Sequence, residues 1–455
     1  MLLGLCVLQP SIHGHDGILN TVFLRSLWFD HDLNFTNEYA YYDQLTGGSF
    51  ELAEIPRHPD TGLPMNFYGV GAACLWAPFY AAGQWIKELL NPQEMASSYL
   101  LPGTGPAEAW FISLGTLFWA TLGLALLYAM LRRRFGRGAA LFAIALILLA
   151  SPLPFYIYFH PSMSHGCAFF AAALLMYGWH GRDEGPLGYW RWGLVGVAGG
   201  LLAMIRFQDA ALLLLPALGE LQRLIESRKE QSPLRQLAAQ TPSYALCIAA
   251  ALLAFLPQML TWKALQGSPF SGPAYYMSID SLDLTRPVHF FQIFFSANHG
   301  LLYWHPALTL AVIALAMQWR VEPFRRLPLI AALIAHAWII ACWDHWWAGA
   351  SFGHRMFISI LPLLAPGLAA LYDAAKPAIR RTLVALLLIA AIWNAGLIVQ
   401  YGMAMIPREE PVSYRQMLEN QFQRLPSFLW TKAGGMLLKK LPESHNAADQ
   451  TNEVP

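Results

Sequence analysis

"AEAWFISLGTLFWATLGLALLYAMLRRR", residues 107–134, decides the reading of this chain. An apolar helix of about 18 or more residues is long enough to cross the ~30 Å hydrocarbon core of a bilayer, and this run is longer. It ends on Arg132, Arg133 and Arg134, with Arg137 just beyond. Short loops rich in Lys and Arg stay on the cytoplasmic side. The stretch therefore predicts a membrane span and its direction together, with residue 107 outside and Arg132 inside.

The whole chain carries the same signature. Of its 455 residues, 56% are hydrophobic and 13% charged, with a mean hydropathy of +0.39. Soluble chains carry about 25% charged residues. The net charge of +1 offers no basic field for nucleic acid. Five cysteines (Cys6, Cys74, Cys167, Cys247, Cys342) lie in or beside apolar segments, without CxxC or Cys/His zinc spacing. They read as small hydrophobes in helix packing rather than as a disulfide framework.

Further spans are expected near 139–157, 166–180, 192–206, 208–222, 243–264, 300–319, 327–343, 357–374 and 382–402. Basic residues fix their sidedness. Besides the 132–137 knot, they cluster at Arg182 and Arg191; at Arg223, Arg228, Lys229 and Arg235; at Arg320, Arg325 and Arg326; and at Lys376, Arg380 and Arg381. These five short loops hold more than half of the 29 Lys and Arg and alternate with longer loops poor in them, so they are read as cytoplasmic. Residues 67–90 are long enough to span, but a span there would invert every later loop. They are read instead as an interfacial helix with Trp76, Pro78 and Trp85 at headgroup level.

The expected organisation follows. Residues 1–9, too short to cross alone, are the remnant of a first helix whose start lies upstream. Residues 10–106 form one large outer loop, 107–402 a bundle of ten helices, and 403–455 an outer amphipathic tail with a disordered end. The fold class is an all-α polytopic membrane protein of about eleven spans, the first incomplete. All histidines but His180 and His336 fall in outer loops or first outer turns.

The outer loops carry recognisable stretches. They are "HDGILNTVFLRSLWFDHDLNFTNEY" (15–39), "NFYGVGAACLWAPFY" (66–80), "HPSMSHGCAFF" (160–170), "MIRFQDAALLLLP" (204–216), "PQMLTWKALQGSPF" (257–270), "NHGLLYWHP" (298–306) and "WWAGASFGHRMF" (346–357). In these the chain resembles the GT-C superfamily of membrane glycosyltransferases, which includes protein O-mannosyltransferases and lipid A aminoarabinose transferases. The resemblance implies a GT-C-like bundle with juxtamembrane helices in the first outer loop. It also implies a polyprenyl-phosphate sugar as donor and a catalytic acid just after the first helix. Ile18-Leu19-Asn20 stand where relatives usually carry tyrosines, and His15-Asp16 where the protein mannosyltransferases have Asp-Glu, so sugar and acceptor are left open.

Sugar transfer from a lipid phosphate needs a base for the acceptor hydroxyl, an electron-rich pocket for an oxocarbenium-like transition state and cations for the departing phosphate. Asp16 is the candidate base; a helix cap for the run from Ile18 is the plainer alternative. Arg355, Arg206 and Lys263 are candidate phosphate ligands. For Arg355 and Lys263 the alternative is snorkelling to headgroups; for Arg206 it is a structural ion pair with Asp209. His15, Asp30, Asp32, Trp343, Asp344, His345, Trp346 and His354 are candidate substrate contacts, set against local capping and an interfacial aromatic belt. His160 and His165, with Asp16 or Asp344, are a weaker option for a divalent metal; no other cofactor is called for.

The function expected is transfer of a sugar from a polyprenyl-phosphate donor to a lipid, glycan or protein acceptor, on the periplasmic face of a bacterial inner membrane. A transporter or flippase of a lipid-linked sugar, or a non-catalytic GT-C relative, is the alternative.

Overall fold

The computed structural model describes residues 2–90, 101–180, 187–228, 232–272, 282–321, 323–428 and 430–431. The expected basic residues Arg182 and Lys229, and the tail end at 432–455, lie outside them. The helices are α1 (Gly14–Arg25), α2 (Thr36–Leu45), α3 (Gly71–Leu90), α4 (Pro106–Leu131), α5 (Arg137–Leu149), α6 (His165–Trp179), α7 (Tyr189–Ile205), α8 (Leu214–Ser227), α9 (Pro233–Gln266), α10 (Thr309–Val321), α11 (Pro323–Ala341), α12 (Leu361–Ala374) and α13 (Pro377–Gly402). Among the described residues, strand pairing amounts to two isolated bridges.

Among the described residues four helices, Pro106–Leu131, Leu234–Gln266, Arg355–Ala374 and Pro377–Gly402, are long and apolar enough to cross a membrane, and five shorter apolar helices accompany them. Several apolar stretches that read as single spans are in fact divided. The 139–157 stretch breaks at Ser151-Pro152 between α5 and a short helix, Leu153–Tyr158. A broken helix in an apolar medium must find partners for its freed backbone groups. Asn394 on α13 supplies them, donating through Nδ2 to the carbonyls of Leu149 and Ser151, both at 2.9 Å. The 300–319 stretch divides at His305-Pro306, where proline removes a helical donor.

Residues 71–90 form the helix α3. Helix α3 runs antiparallel against the first half of α4. Trp119 Nε1 donates to the Leu75 carbonyl and Trp76 Nε1 to Thr116, each at 2.8 Å. At the other end Gln84 and Lys87 donate to Glu108 at 3.0 and 2.6 Å. Glu108 is buried, so this paired acid ties α3 to the start of α4. The reason is compositional: one face of α3 is small or aromatic and fits against α4, while Trp85, Leu89 and Leu90 stay exposed.

The start of α3 abuts the C-terminal end of α7. A Cβ at Gly69 would lie 2.0 Å from the Met204 carbonyl oxygen, so only glycine allows this approach. It brings Tyr68 close to the end of α7, where Arg206 follows.

Candidate active site

Asp16 lies in the first turn of α1, whose N-cap residue is His13. It is therefore not the cap that the plainer sequence reading allowed, and α1 has no side-chain cap at all. Its carboxylate faces Arg355, with Arg355 Nη1 2.7 Å from Asp16 Oδ2. The side chains keep 15% and 11% of their surface exposed, so the pair is sheltered yet reachable.

Local packing explains this position. A Cβ at Gly17 would lie 2.6 Å from Ser162 Oγ, so the glycine lets α1 press onto the loop before α6. Ser162 Oγ also accepts from the His13 backbone N–H at 3.3 Å. Arg355 opens a 3-10 turn, Arg355–Ile360, that leads into α12. Its Nη1 also reaches Met163 Sδ at 3.4 Å, while Nε has no hydrogen-bond partner.

Tyr68 donates a hydrogen bond to Asp16. Burial pushes the Asp16 carboxyl up, but the Arg355 charge, the Tyr68 hydroxyl, His15 and Arg206 together hold it below the ordinary carboxylate range. Beside it, burial pushes the His15 imidazole down against the pull of Asp16. His15 packs near Tyr68 and Phe50, with ring centroids 6.3 and 6.5 Å away.

Arg206 comes from a different break. It has extended backbone (φ −148, ψ 110) between α7 and a 3-10 turn, Phe207–Leu213. The helical i, i+3 geometry that would pair it with Asp209 is therefore lost. Its Nη1 donates to Ser164 Oγ at 3.4 Å and Nη2 to Met356 Sδ at 2.7 Å. Asp209 accepts from His336 and Ser359 instead, at 2.9 and 2.8 Å.

The remaining sequence candidates divide among other places. Asp30 pairs with Arg25 and accepts from Asn37 at 2.8 Å; Arg25 also holds the buried Glu38 at 2.7 Å. Asp32 accepts from Ser26 Oγ and the Asn34 N–H at 2.9 and 3.0 Å. Both acids thus shape the turn between α1 and α2. Trp343, His345, Trp346 and Trp347 form a chain of rings 5.3–6.0 Å apart, with Asp344 and His345 exposed. His354 is buried against Phe357, ring centroids 4.7 Å apart. Lys263 is exposed near the end of α9, where Thr61 Oγ1 caps the Leu265 carbonyl at 2.6 Å.

His160 and His165 do not converge. His160 packs between Phe155 and His13, while His165 is buried against Tyr156. Among the described residues no three His, Cys, Asp or Glu side chains come together as a metal-ligand set.

Two contributors escaped the sequence reading. Tyr68 sits inside the quoted "NFYGVG" stretch, which was the one available signal. Arg408 lies beyond α13, its guanidinium 5.4 Å from the Tyr401 ring centroid. Burial first, then the charges of His13, Arg408 and Arg355, push the His160 imidazole down to about 4.

These elements define a helical membrane bundle with an acid–arginine centre assembled at its helix breaks. Its structure is similar to the crystal structure of ArnT from Cupriavidus metallidurans in the apo state, with a TM-score of 0.51 and 15% sequence identity over 96% of this chain and 70% of that one. The likeness is one of overall fold. No family model matches the sequence, and no curated protein does.

Proposed function

We propose that this chain is a glycosyltransferase that moves a sugar from a polyprenyl-phosphate donor to a cell-envelope acceptor, with its site on the periplasmic face. The single observation that carries the reading is the sheltered Asp16–Arg355 pair at 2.7 Å, on a GT-C-like fold. The basic loops support a topology of about eleven spans with this pair on the outer side.

In the free site Arg355 occupies the Asp16 carboxylate, which makes Asp16 a weak proton acceptor. A donor phosphate competes for the same guanidinium, whose planar fork grips two oxygens. As Arg355 turns to the phosphate, Asp16 regains basicity beside the anomeric carbon. The carboxylate then takes the acceptor's hydroxyl proton as the new C–O bond forms. The bond from the anomeric carbon to the phosphate oxygen breaks, and the phosphate leaves with the electron pair, stabilised by Arg355 and Arg206. Tyr68 orients the carboxylate throughout.

One observation favours a second reading. Asp209 and His336 are fully buried within the bundle, and paired ionisable groups at such positions also mark transport pathways. A transporter or flippase of a lipid-linked sugar would use them.

The test is purified protein in nanodiscs with labelled polyprenyl-phosphate sugar and an envelope lipid extract. Release of polyprenyl phosphate together with a labelled acceptor is expected, and Asp16→Asn should abolish it. Donor translocation without consumption would favour the transporter, and full turnover by Asp16→Asn would remove the base.

A further inference from the structure

We propose that the buried Asp209–His336–Ser359 cluster is a positioning clasp that fixes Arg206 and Arg355 at the spacing a donor phosphate requires. The inference rests on the glycosyl-transfer reading for the identity of that anion, but its geometry stands apart from it. Neither arginine sits within a regular α-helix. Arg206 precedes the turn Phe207–Leu213 and Arg355 opens the turn Arg355–Ile360, so no α-helical ladder sets where either guanidinium points.

The clasp joins these two turns. Ser359, on the Arg355 turn, donates through Oγ to Asp209 Oδ1 at 2.8 Å, and Asp209 belongs to the turn that follows Arg206. His336, from α11, approaches the same oxygen through Nε2 at 2.9 Å, and Ser359 Oγ lies 3.3 Å from that nitrogen. Three chain segments thus meet on one carboxylate oxygen, with all three residues buried. A second tie runs nearer the site, from Arg206 Nη2 to Met356 Sδ, the residue beside Arg355.

The arrangement is not a nucleophilic triad. Serine and histidine both converge on one aspartate oxygen, whereas a triad runs Ser to His to Asp through the two imidazole nitrogens. Here His336 Nδ1 and Asp209 Oδ2 have no hydrogen-bond partner. An acid in an apolar interior is costly unless held by donors. With so few donors, each one matters, and losing one should let the turns separate.

The test uses the full chain in nanodiscs with two readouts. Amide hydrogen exchange over 355–360 should quicken about tenfold in Ser359→Ala, as expected when one buried hydrogen bond is lost, while exchange across α12 stays as in the wild type. The affinity for undecaprenyl phosphate, used without a sugar, should fall about five- to thirtyfold. Ser359→Thr, which keeps the hydroxyl, should restore both. In an Arg206→Gln background the affinity loss from Ser359→Ala should shrink, because the clasp is then left with Arg355 alone to position. Asp209→Asn keeps the accepting oxygen and provides a second variant should Ser359→Ala fold poorly; it should show a smaller loss in both readouts.

Unchanged exchange over 355–360 would overturn the clasp whatever the protein transfers. An equal affinity loss in the Arg206→Gln background would overturn it too, since it would mean general loosening. If the wild type binds no polyprenyl phosphate, the donor reading falls, and the exchange rates alone decide the clasp.

Discussion

Asp16 and Arg355, one near the start of the chain and the other opening the last part of the bundle, meet with Nη1 and Oδ2 2.7 Å apart. The contact joins α1 to the turn that leads into α12, so it sets the site's geometry as well as its charge. Substituting the two partners should leave different kinetic signatures. Asp16→Asn keeps the shape and loses the proton acceptor, so kcat should fall about 10²–10⁴-fold, the usual contribution of a general base. Arg355→Lys keeps the charge and loses the fork, so KM for the donor should rise and kcat fall together. Steady-state kinetics with labelled donor would separate the two; a drop in stability alone would contradict both.

The same pair sets the acid limb of activity. Asp16 must be ionised to act, and its carboxyl is held below its ordinary value of 3.8 with Arg355 the strongest lowering influence. The acid limb of the kcat/KM profile, which reports the free enzyme, should therefore lie below that ordinary value. In Arg355→Gln the upward push of burial prevails, and the limb should move to higher pH. A limb that stays in place in the variant would show that another group titrates.

Stability should respond to different groups. Burial pushes His160 and His299 down from 6.5 to about 4, so both are neutral in the folded chain at neutral pH. An unfolded chain takes up these protons first. Their contribution is thus complete above about 6.5 and is lost as pH falls from there toward about 4. For the fully buried His299 it is on the order of 1–3 kcal/mol across that window. Thermal unfolding between pH 7 and 4.5 should show a falling Tm, and His299→Gln should flatten the slope.

Apolar length and basic loops made the helical bundle legible, because both are one-dimensional signals. They could not show where helices break. Ser151-Pro152 and His305-Pro306 carry the proline cue, but Arg206 interrupts an apolar run with no such residue, and its extended backbone sends Asp209 elsewhere. Asp16 and Arg355 were legible from position and resemblance. Their meeting was not, since no periodicity links residues so far apart. Asp30 and Asp32 were candidate substrate contacts rather than the base, and sequence alone did not show that neighbouring Arg25, Ser26 and Asn37 bond them. His336 stood out only as a histidine away from the outer face, and that oddity was the trace of the clasp.

Gly17 offers the most direct check that geometry, beyond composition, governs the site. It follows the candidate base, and a methyl group there would sit 2.6 Å from Ser162 Oγ. Because the contact is a side chain on a packed loop, α1 must move by a few tenths of an ångström or more. Displacements of about 1 Å in a catalytic group can cost about 10²-fold. Gly17→Ala should therefore lower kcat/KM about 10- to 100-fold, while alanine's better helix propensity, worth up to about 1 kcal/mol, keeps Tm close to the wild type. Ser162→Ala removes the clashing oxygen and leaves Ser162 Cβ at an ordinary 3.5 Å. The double variant should recover most of the lost activity. Failure of Ser162→Ala to rescue would mean that Gly17 matters for a reason other than the seating of α1 against this loop.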